Sequence, residues 1–270
     1  MRPRFANDWC TVYEADCREV AALEEPGSFS LAILDGPYGM GKAAWDRVKI
    51  DELAEWYRPH LEDVGRLCGA SASLYVWNTA AGWARLDPVV RGMGWTFRAL
   101  VVWDKQSPGL SALTGAATLL EVAGAYTRGN TSAACSGVWT VSTGTGLGAE
   151  RIPHPSKTQS SIKDGYIWPA ALHPCQKPLT FADRIIRASS RPGERIWAPF
   201  GGTLREALAA TRIGRSEPEE SRHVVTCELN ADGVDYLGPA IAQIEGTWDA
   251  KAAAGQVGLF GSAAHDTGRR

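Results

Sequence analysis

The length, composition and charge of this chain limit what it can be. Its 270 residues, 44% of them hydrophobic and 21% charged, suffice for one α/β domain with an excursion or for two small domains. No apolar run is long enough for a signal peptide or a membrane span, and the six cysteines are too far apart for a zinc site or a disulfide framework. We therefore expect a cytoplasmic protein with reduced thiols.

The net charge of -2 indicates no particular partner, but the charges are unevenly distributed. Residues 151–215 contain 11 Lys and Arg against 4 Asp and Glu, whereas the rest of the chain is acidic. Such a segment is either a surface that faces phosphate groups or a set of solvated helix faces, and charge alone does not choose between them.

Strands and helices alternate in the order typical of a mainly parallel sheet. Apolar periodicity predicts alternating strands and helices, beginning with a strand, at residues 11–15, 18–25, 31–34, 50–68, 73–77, 81–91 and 97–103. The pattern returns near the C-terminus with a helix that begins after residue 178, a strand at 195–197, a helix that ends at 212, a strand at 223–227 and a helix at 232–244. Between the two sets, residues 106–172 form an irregular insertion with one strand-like piece at 119–126.

The stretch most suited to chemistry is Asp35-Gly36-Pro37-Tyr38, at the end of the buried strand 31–34. Open α/β sheets bind their ligands at the carboxyl ends of their strands. Asp35 and the carbonyl of residue 36 are suited to accept the two hydrogens of an exocyclic amino group, and Tyr38 is suited to stack on the ring. Asp, Gly and Pro are also common turn residues, so the stretch by itself fits an ordinary strand-to-loop turn as well.

A second turn with a ligand-binding pattern follows the strand at 195–197. Gly201 and Gly202 allow a ligand to approach the backbone, and the next strand ends in Glu228, whose carboxylate is suited to hold ribose hydroxyls. A strand, a Gly-containing turn, a helix and an acid-ended strand together form the mononucleotide-binding half of a Rossmann-like sheet.

The order of these motifs resembles the permuted β class of DNA amino-methyltransferases. In chain order the motifs are Asp-Gly-Pro-Tyr at 35–38, the insertion, His-Pro-x-x-Lys-Pro at 173–178, Pro-Phe-Gly-Gly at 199–202 and the strand that ends in Glu228. The resemblance covers residues 12–45 and 171–244 well and 95–126 loosely. It implies an α/β, Rossmann-like methyltransferase fold with a mainly parallel sheet, helices on both faces and a circularly permuted motif order.

The resemblance also divides the chain. Residues 1–105 correspond to the catalytic half of the methyltransferase domain, and residues 106–172 to a target-recognition region. Residues 173–247 correspond to the cofactor-binding half of the same domain, which leaves 248–270 as a flexible tail.

By this resemblance, a methyl group passes from S-adenosylmethionine to the exocyclic nitrogen of a base that is flipped out of double-stranded DNA. Asp35, Gly36, Pro37 and Tyr38 form the catalytic site, in which Asp35 and the Gly36 carbonyl accept hydrogen bonds and Tyr38 stacks on the base. The family requires no metal.

The resemblance also assigns the cofactor site. Asp16, with Cys17 beside it, meets the cofactor's adenine, Glu228 takes the ribose, and Lys177 is a partner for the cofactor carboxylate. The turn between the strand at 195–197 and the next helix shapes the methionine pocket through Pro199, Phe200, Gly201, Gly202 and Thr203.

Three positions depart from the family pattern. Ala198 replaces an Asp, which removes a charged acceptor near the methionine amino group, and Leu204 replaces a Gly, which predicts crowding of the cofactor. One lost hydrogen bond to a charged group lowers affinity roughly tenfold to a hundredfold. Gly36 replaces a Pro, so the turn loses a fixed φ and must be held by its surroundings, which predicts slower catalysis.

Cytosine-N4 members of the resembled family more often carry Ser in the first position of the tetrad, so the resemblance implies adenine N6 as the methylated atom, because Asp35 stands there. The alternatives are cytosine N4, a non-catalytic DNA-binding protein on a degenerate methyltransferase fold, and an amino-methyltransferase of RNA or of a small molecule. The oligomeric state and a restriction partner stay open.

The tail carries one further motif. Gln256, Leu259 and Phe260 resemble the Gln-x-x-Leu-Phe peptide by which bacterial proteins dock on the replication sliding clamp. The alternative is a tail that packs on its own domain.

Overall fold

The computed structural model describes residues 1–41, 45–105, 120–131, 136–140, 161–163, 166–168, 175–230 and 233–247. Its strands and helices are β1 (Phe5–Ala6), β2 (Cys10–Glu14), α1 (Cys17–Ala21), β3 (Phe29–Leu34), α2 (Leu53–Leu67), β4 (Cys68–Asn78), α3 (Ala80–Gly92), β5 (Thr96–Asp104), β6 (Leu120–Arg128), β7 (Gly137–Thr140), β8 (Ser161–Lys163), β9 (Tyr166–Trp168), α4 (Leu179–Ser189), β10 (Arg195–Ala198), α5 (Arg205–Ser216), β11 (His223–Glu228) and α6 (Leu237–Glu245). None of these described helices is long and apolar enough to cross a bilayer.

Nine of the described strands form one sheet in the order β1-β2-β11-β10-β3-β4-β6-β5-β7. The strands from β2 through β4 in that order run parallel, β6 runs antiparallel to both of its neighbours, and β8 pairs with β9 in a separate hairpin. The C-terminal strand β10 pairs with the N-terminal strand β3, with Ile196 opposite Leu31. The two halves predicted from the permuted motif order therefore share one sheet, which confirms the predicted fold class.

The strand-like piece predicted at 119–126 is present as β6, and both β6 and β7, which the predicted insertion over residues 106–172 includes, belong to the main sheet. Strand β6 lies between β4 and β5, and residues 121–127 are buried. A Cβ at Gly124 would lie 2.5 Å from Trp83 Nε1, so a small residue is needed where the strand meets α3. Because β6 is covered on both faces, its sequence lacks the apolar and polar alternation that marks a half-buried strand.

Helices cover both faces of the sheet, as predicted. Along β3, Leu31 and Ile33 pack with α4, α5 and α6, whereas Ala32 and Leu34 pack with α1, α2 and α3. The helices face the sheet with apolar residues at helical spacing, such as Leu53, Tyr57, Leu61 and Val64 of α2.

The chain leaves the two central strands in opposite directions. From β10 it passes through α5 to β11, and from the neighbouring strand β3 it passes through α2 to β4 on the other side. A crevice therefore opens between the carboxyl ends of β10 and β3, the position where open α/β sheets bind ligands.

Candidate active site

A cavity of about 310 Å³ lies in this crevice. It is lined by Ala15, Asp16, Cys17, Arg18, Asp35, Gly36, Pro37, Trp45, Trp56, His60, Pro199, Phe200, Gly202, Glu228 and Leu229. Nine of the thirteen residues predicted from the sequence are among them, from both halves of the chain. The other four, Tyr38, Lys177, Gly201 and Thr203, are also described and are buried outside this lining.

The turn after β10 is fixed against the end of β11. The Gly202 N–H donates to Glu228 Oε2 at 2.6 Å, and the Gly201 N–H donates to the Cys227 carbonyl at 2.8 Å. A Cβ at Gly201 would lie 2.7 Å from Thr226 Oγ1, so only glycine fits there. Glu228 is thus held at the wall of the cavity.

Asp16, the residue directly before α1, lines the cavity. Its carboxylate accepts a hydrogen bond from the Arg18 N–H at 2.8 Å, the usual arrangement of an N-terminal cap. Cys17 follows it, and burial raises the pKa of the Cys17 thiol to about 12, so this thiol stays protonated.

The expectation that Leu204 crowds the cofactor is wrong. Leu204 has a left-handed backbone with φ of 56°, and its side chain is fully buried in the core with α4, α5 and α6 rather than in the cavity wall. A glycine would adopt this φ without strain, but the αL backbone turns the leucine side chain away from the crevice. Ala198 is buried at the end of β10, so no side-chain charge is available there.

Six wall residues were not among the predicted site residues, and two of them, Trp56 and His60, belong to α2. Trp56 and His60 lie four residues apart on α2, with ring centroids 4.5 Å apart, and Trp56 lies 5.7 Å from the Phe200 ring. His60 Nδ1 is 3.4 Å from Cys17 Sγ, and burial lowers the pKa of His60, which keeps the ring neutral at physiological pH. The available signal was Trp56 itself, a large aromatic residue outside the buried stripe of α2.

The catalytic tetrad is built around a close contact at its second residue. A Cβ at Gly36 would lie 2.8 Å from Tyr57 Oη and 3.0 Å from the Phe200 ring. Tyr57 Oη and Asn78 Nδ2 each donate to the Pro37 carbonyl at 3.3 Å. Packing and hydrogen bonds therefore hold the turn where the family's proline would fix φ, and the space explains why glycine stands at this position.

Asp46 is a further residue that the sequence analysis missed. It is buried, and its carboxylate accepts hydrogen bonds from the backbone N–H groups of Tyr38 at 2.8 Å, Gly39 at 2.7 Å and Met40 at 3.1 Å. Three donors on one carboxylate fix the chain that follows the tetrad. An acid eight residues after Tyr38 gives no local signal of this contact.

Tyr38 does not present its ring to the cavity. Its hydroxyl donates to Asp35 Oδ1 at 2.8 Å, and Lys177 Nζ lies 5.1 Å from the centre of its buried ring. Burial also raises the pKa of Tyr38 well above its usual value, so the hydroxyl stays protonated. In this arrangement the predicted stacking face is covered.

Lys177 lies beside Asp35 and outside the cavity lining, and its predicted role at the cofactor carboxylate stays a prediction. Its ammonium lies 2.8 Å from both carboxylate oxygens of Asp35, 2.9 Å from Tyr38 Oη and 3.1 Å from Glu121 Oε2. Glu121 also forms an ion pair with Lys105. The physical reason is charge: a buried ammonium is placed where two carboxylates meet.

The two carboxyl groups of this corner differ in acidity. Burial raises the pKa of Asp35, and Glu121 raises it further, while Lys177 opposes both. Burial acts in the same direction on Glu121, but Lys177 and Lys105 together outweigh it and lower the pKa of Glu121 to about 2. Glu121 is therefore ionised throughout the physiological range, whereas among the described residues Asp35 forms an ion pair with Lys177 alone.

Several cations of the basic segment 151–215 serve the fold. Arg187 pairs with Glu217, Arg195 pairs with Glu24, and buried Arg205 donates to the Thr203 carbonyl. With Lys177, these described cations are paired with acceptors of the protein itself, so they do not support a phosphate-facing surface. The tail residues Gln256, Leu259 and Phe260 lie outside the described residues, and their predicted docking role stays a prediction.

The fold and the crevice define a class of protein. The sheet has the permuted α/β order, and one cavity brings together an acid-ended strand, a glycine turn and the Asp-Gly-Pro-Tyr corner. This is the architecture of an amino-methyltransferase. The cytosine-N4-specific PvuII DNA methyltransferase superposes on this chain with a TM-score of 0.63 over 95% of this chain and 94% of that one. The two sequences are 14% identical, so this likeness shows the fold.

Sequence comparison gives the family. The family model for DNA methylases of the N6 and N4 type matches residues 29–238. The type II methyltransferase M1.MboII of Moraxella bovis is 24% identical over 264 residues, which cover 87% of this chain and 97% of that protein. The DNA adenine methyltransferase YhdJ of Escherichia coli K12 is 25% identical over 233 residues, 78% of each chain. The chain belongs to this family of S-adenosylmethionine-dependent DNA methyltransferases.

Proposed function

We propose that this protein methylates the N6 atom of adenine in double-stranded DNA, with Asp35 and the Gly36 carbonyl as the acceptors that activate the amino group. One observation carries the proposal. The Asp35 corner and the Phe200, Gly202 and Glu228 turn, which are far apart in the sequence, line the same cavity at the carboxyl edge of the sheet.

The chemistry needs acceptors because the amino nitrogen of a base is a poor nucleophile. Its lone pair is conjugated into the ring until hydrogen bonds from the amino group localise it on nitrogen. The nitrogen then forms a bond to the methyl carbon as the carbon–sulfur bond breaks, S-adenosylhomocysteine leaves, and one amino proton is released. The target base must first leave the duplex, because its amino nitrogen is out of reach inside it.

The cavity offers matching groups to the cofactor. In this proposal Glu228 accepts hydrogen bonds from the ribose hydroxyls and Asp16 from the adenine amino group, while Trp56, His60 and Phe200 supply aromatic surface; all five line the cavity. The volume of about 310 Å³ lies at the lower end of the range of small-molecule sites.

Adenine is favoured by Asp35 at the first position of the tetrad and by the name of the relative YhdJ. Cytosine N4 is the alternative, because both bases offer an amino group with two hydrogens to the same acceptors. The non-catalytic alternative is now motivated by Ala198 alone, since Leu204 does not enter the cavity.

The test is methyl transfer from tritiated S-adenosylmethionine to unmethylated DNA and to RNA, followed by mass spectrometry of the nucleosides. We expect N6-methyldeoxyadenosine from DNA, and a loss of rate of about 10³-fold for Asp35→Ala. Asp51→Ala, which changes an exposed carboxylate, is the matched control and should keep the rate. N4-methylcytosine would establish the cytosine alternative, and no heat or thermal shift with millimolar S-adenosylmethionine would establish the non-catalytic one.

A further inference from the structure

We propose that Lys177 is a positioning residue for methyl transfer: it keeps Asp35 ionised and oriented toward the base, and Glu121 holds Lys177 in place. The inference rests on the proposed function, because it assigns a task to Asp35. It differs from the role that the motif order implies for this lysine, a contact with the cofactor carboxylate.

The first argument is geometry. The Lys177 ammonium is 2.8 Å from each carboxylate oxygen of Asp35, so a single cation bridges both oxygens and fixes the plane of the carboxylate. The Lys177 side chain is 6% exposed, against 21% for Asp35. The lysine thus contacts the acid from the protein interior, while the acid reaches the cavity.

The second argument counts acceptor sites. A carboxylate has about four lone-pair sites, two on each oxygen. Lys177 and the Tyr38 hydroxyl occupy Oδ1, and Lys177 occupies one site on Oδ2. When the contacts of the described residues are counted, one site on Oδ2 stays available for a hydrogen of the base's amino group, and its direction is set by the other three.

The third argument is electrostatic. Two buried carboxylates at one ammonium repel each other, and in such a pair one group tends to take up a proton. Glu121 has a second cation in Lys105, whereas the ion pair found for Asp35 among the described residues is the one with Lys177. Without Lys177, Asp35 would therefore be the group that protonates, and a protonated acid is a weaker acceptor.

Other groups near the corner also titrate, and their titrations must be distinguished from that of Asp35. Among the described residues, the titratable or charged groups near Asp35 and Lys177 are Tyr38 and Asp46 after β3, Tyr57 of α2, Lys105 after β5, Glu121 on β6, Cys175 before α4, and Glu206 of α5. Burial, with Asp35 adding to it, raises the pKa of Glu206 to about 7. The experiment therefore uses the Glu206→Gln background.

The experiment follows the titration of Asp35 by NMR of ¹³C-labelled aspartate carboxyl groups, assigned with Asp35→Asn. In Lys177→Met we expect Asp35 to titrate about one pH unit higher or more, and in Lys177→Arg close to the parent. Glu121→Gln should move it in the opposite direction, to lower pH, because a neighbouring negative charge is removed. Lys49→Met, which changes an exposed lysine, is the control and should leave the titration unchanged.

Two further measurements separate positioning from cofactor binding. In Lys177→Met, single-turnover methyl transfer at pH 7 should fall about tenfold and recover as the pH rises, while the Kd for S-adenosylmethionine stays within about threefold. An unmoved Asp35 titration would overturn the inference, and so would a tenfold weaker Kd with an unchanged pH profile, which would place Lys177 at the cofactor carboxylate.

The outcomes keep the two proposals apart. A wild-type protein that methylates DNA, combined with an unmoved titration in Lys177→Met and Glu121→Gln, would refute the inference alone. A titration that moves as expected in a protein that methylates no nucleic acid would refute the proposed function, and the positioning role with it, while leaving the Lys177–Asp35 contact established.

Discussion

The two sides of the crevice hold their acidic side chains by different means. On the cofactor side, Asp16 and Glu228 accept hydrogen bonds from backbone N–H groups at the start of a helix and in a glycine turn. On the catalytic side, Asp35 and Glu121 are held by the Lys177 ammonium. The backbone N–H donors belong to residues close in sequence or to a neighbouring turn, whereas the Lys177 ammonium comes from a segment that is distant in sequence from Asp35 and Glu121. We therefore expect the loss of one charged side chain to have a larger effect on the catalytic side than on the cofactor side.

The largest expected effect is on the catalytic side, in Glu121→Gln. Glu121 has a pKa lowered from 4.5 to about 2, so it contributes stability that is present above pH 4.5 and is lost as the pH falls toward 2. The contribution to the free energy of unfolding at neutral pH is about 3 kcal/mol. Urea unfolding at a series of pH values measures it as the difference between the wild-type and variant curves.

Glu219→Gln is the matched control, because Glu219 is exposed, and it should follow the wild-type curve. Parallel curves for wild type and Glu121→Gln between pH 5 and 2 would show that the corner is not held by charge, and the contrast between the two sides would disappear.

The second largest effect is expected in Asp46→Ala. This substitution removes the acceptor of three backbone N–H groups after the tetrad. The loss in the free energy of unfolding should be about 2 kcal/mol, since N–H groups that lose a charged acceptor must find water. Urea unfolding at pH 7 measures it. Asp46→Asn keeps one acceptor oxygen and should lose less; equal losses in the two variants would show that packing, and not these hydrogen bonds, holds the chain.

The smallest effect is expected on the cofactor side, in Glu228→Ala. The Gly202 N–H then loses its carboxylate and the ribose loses an acceptor, so the Kd for S-adenosylmethionine should rise about tenfold, or 1.4 kcal/mol. Calorimetric titration measures it, with the rate at saturating cofactor as the second readout. A normal Kd together with a reduced rate would place Glu228 on the catalytic side and erase the distinction.

The contacts that were missed share a physical cause. Trp56 and His60 reach the cavity because α2 packs beside the turn that carries Phe200, and Asp46 reaches the tetrad because the chain folds back on itself. Each contact depends on how elements are placed in space, and the residue types alone do not encode it. The strand-like piece predicted at 119–126 was assigned to an insertion rather than to the main sheet, because a strand covered on both faces has no periodic pattern that shows which sheet it joins.

The sequence by itself determined the α/β class, the permuted order of the halves and most of the cavity wall, from Asp16 through Asp35 to Phe200 and Glu228. These follow from local pattern, because the carboxyl ends of parallel strands all lie at one edge of a sheet. Only the tertiary structure decided that Leu204 turns into the core and that Lys177 binds Asp35. The first depends on one backbone dihedral and the second on the cost of burying a charge without a partner, and neither is a property of a short stretch of sequence.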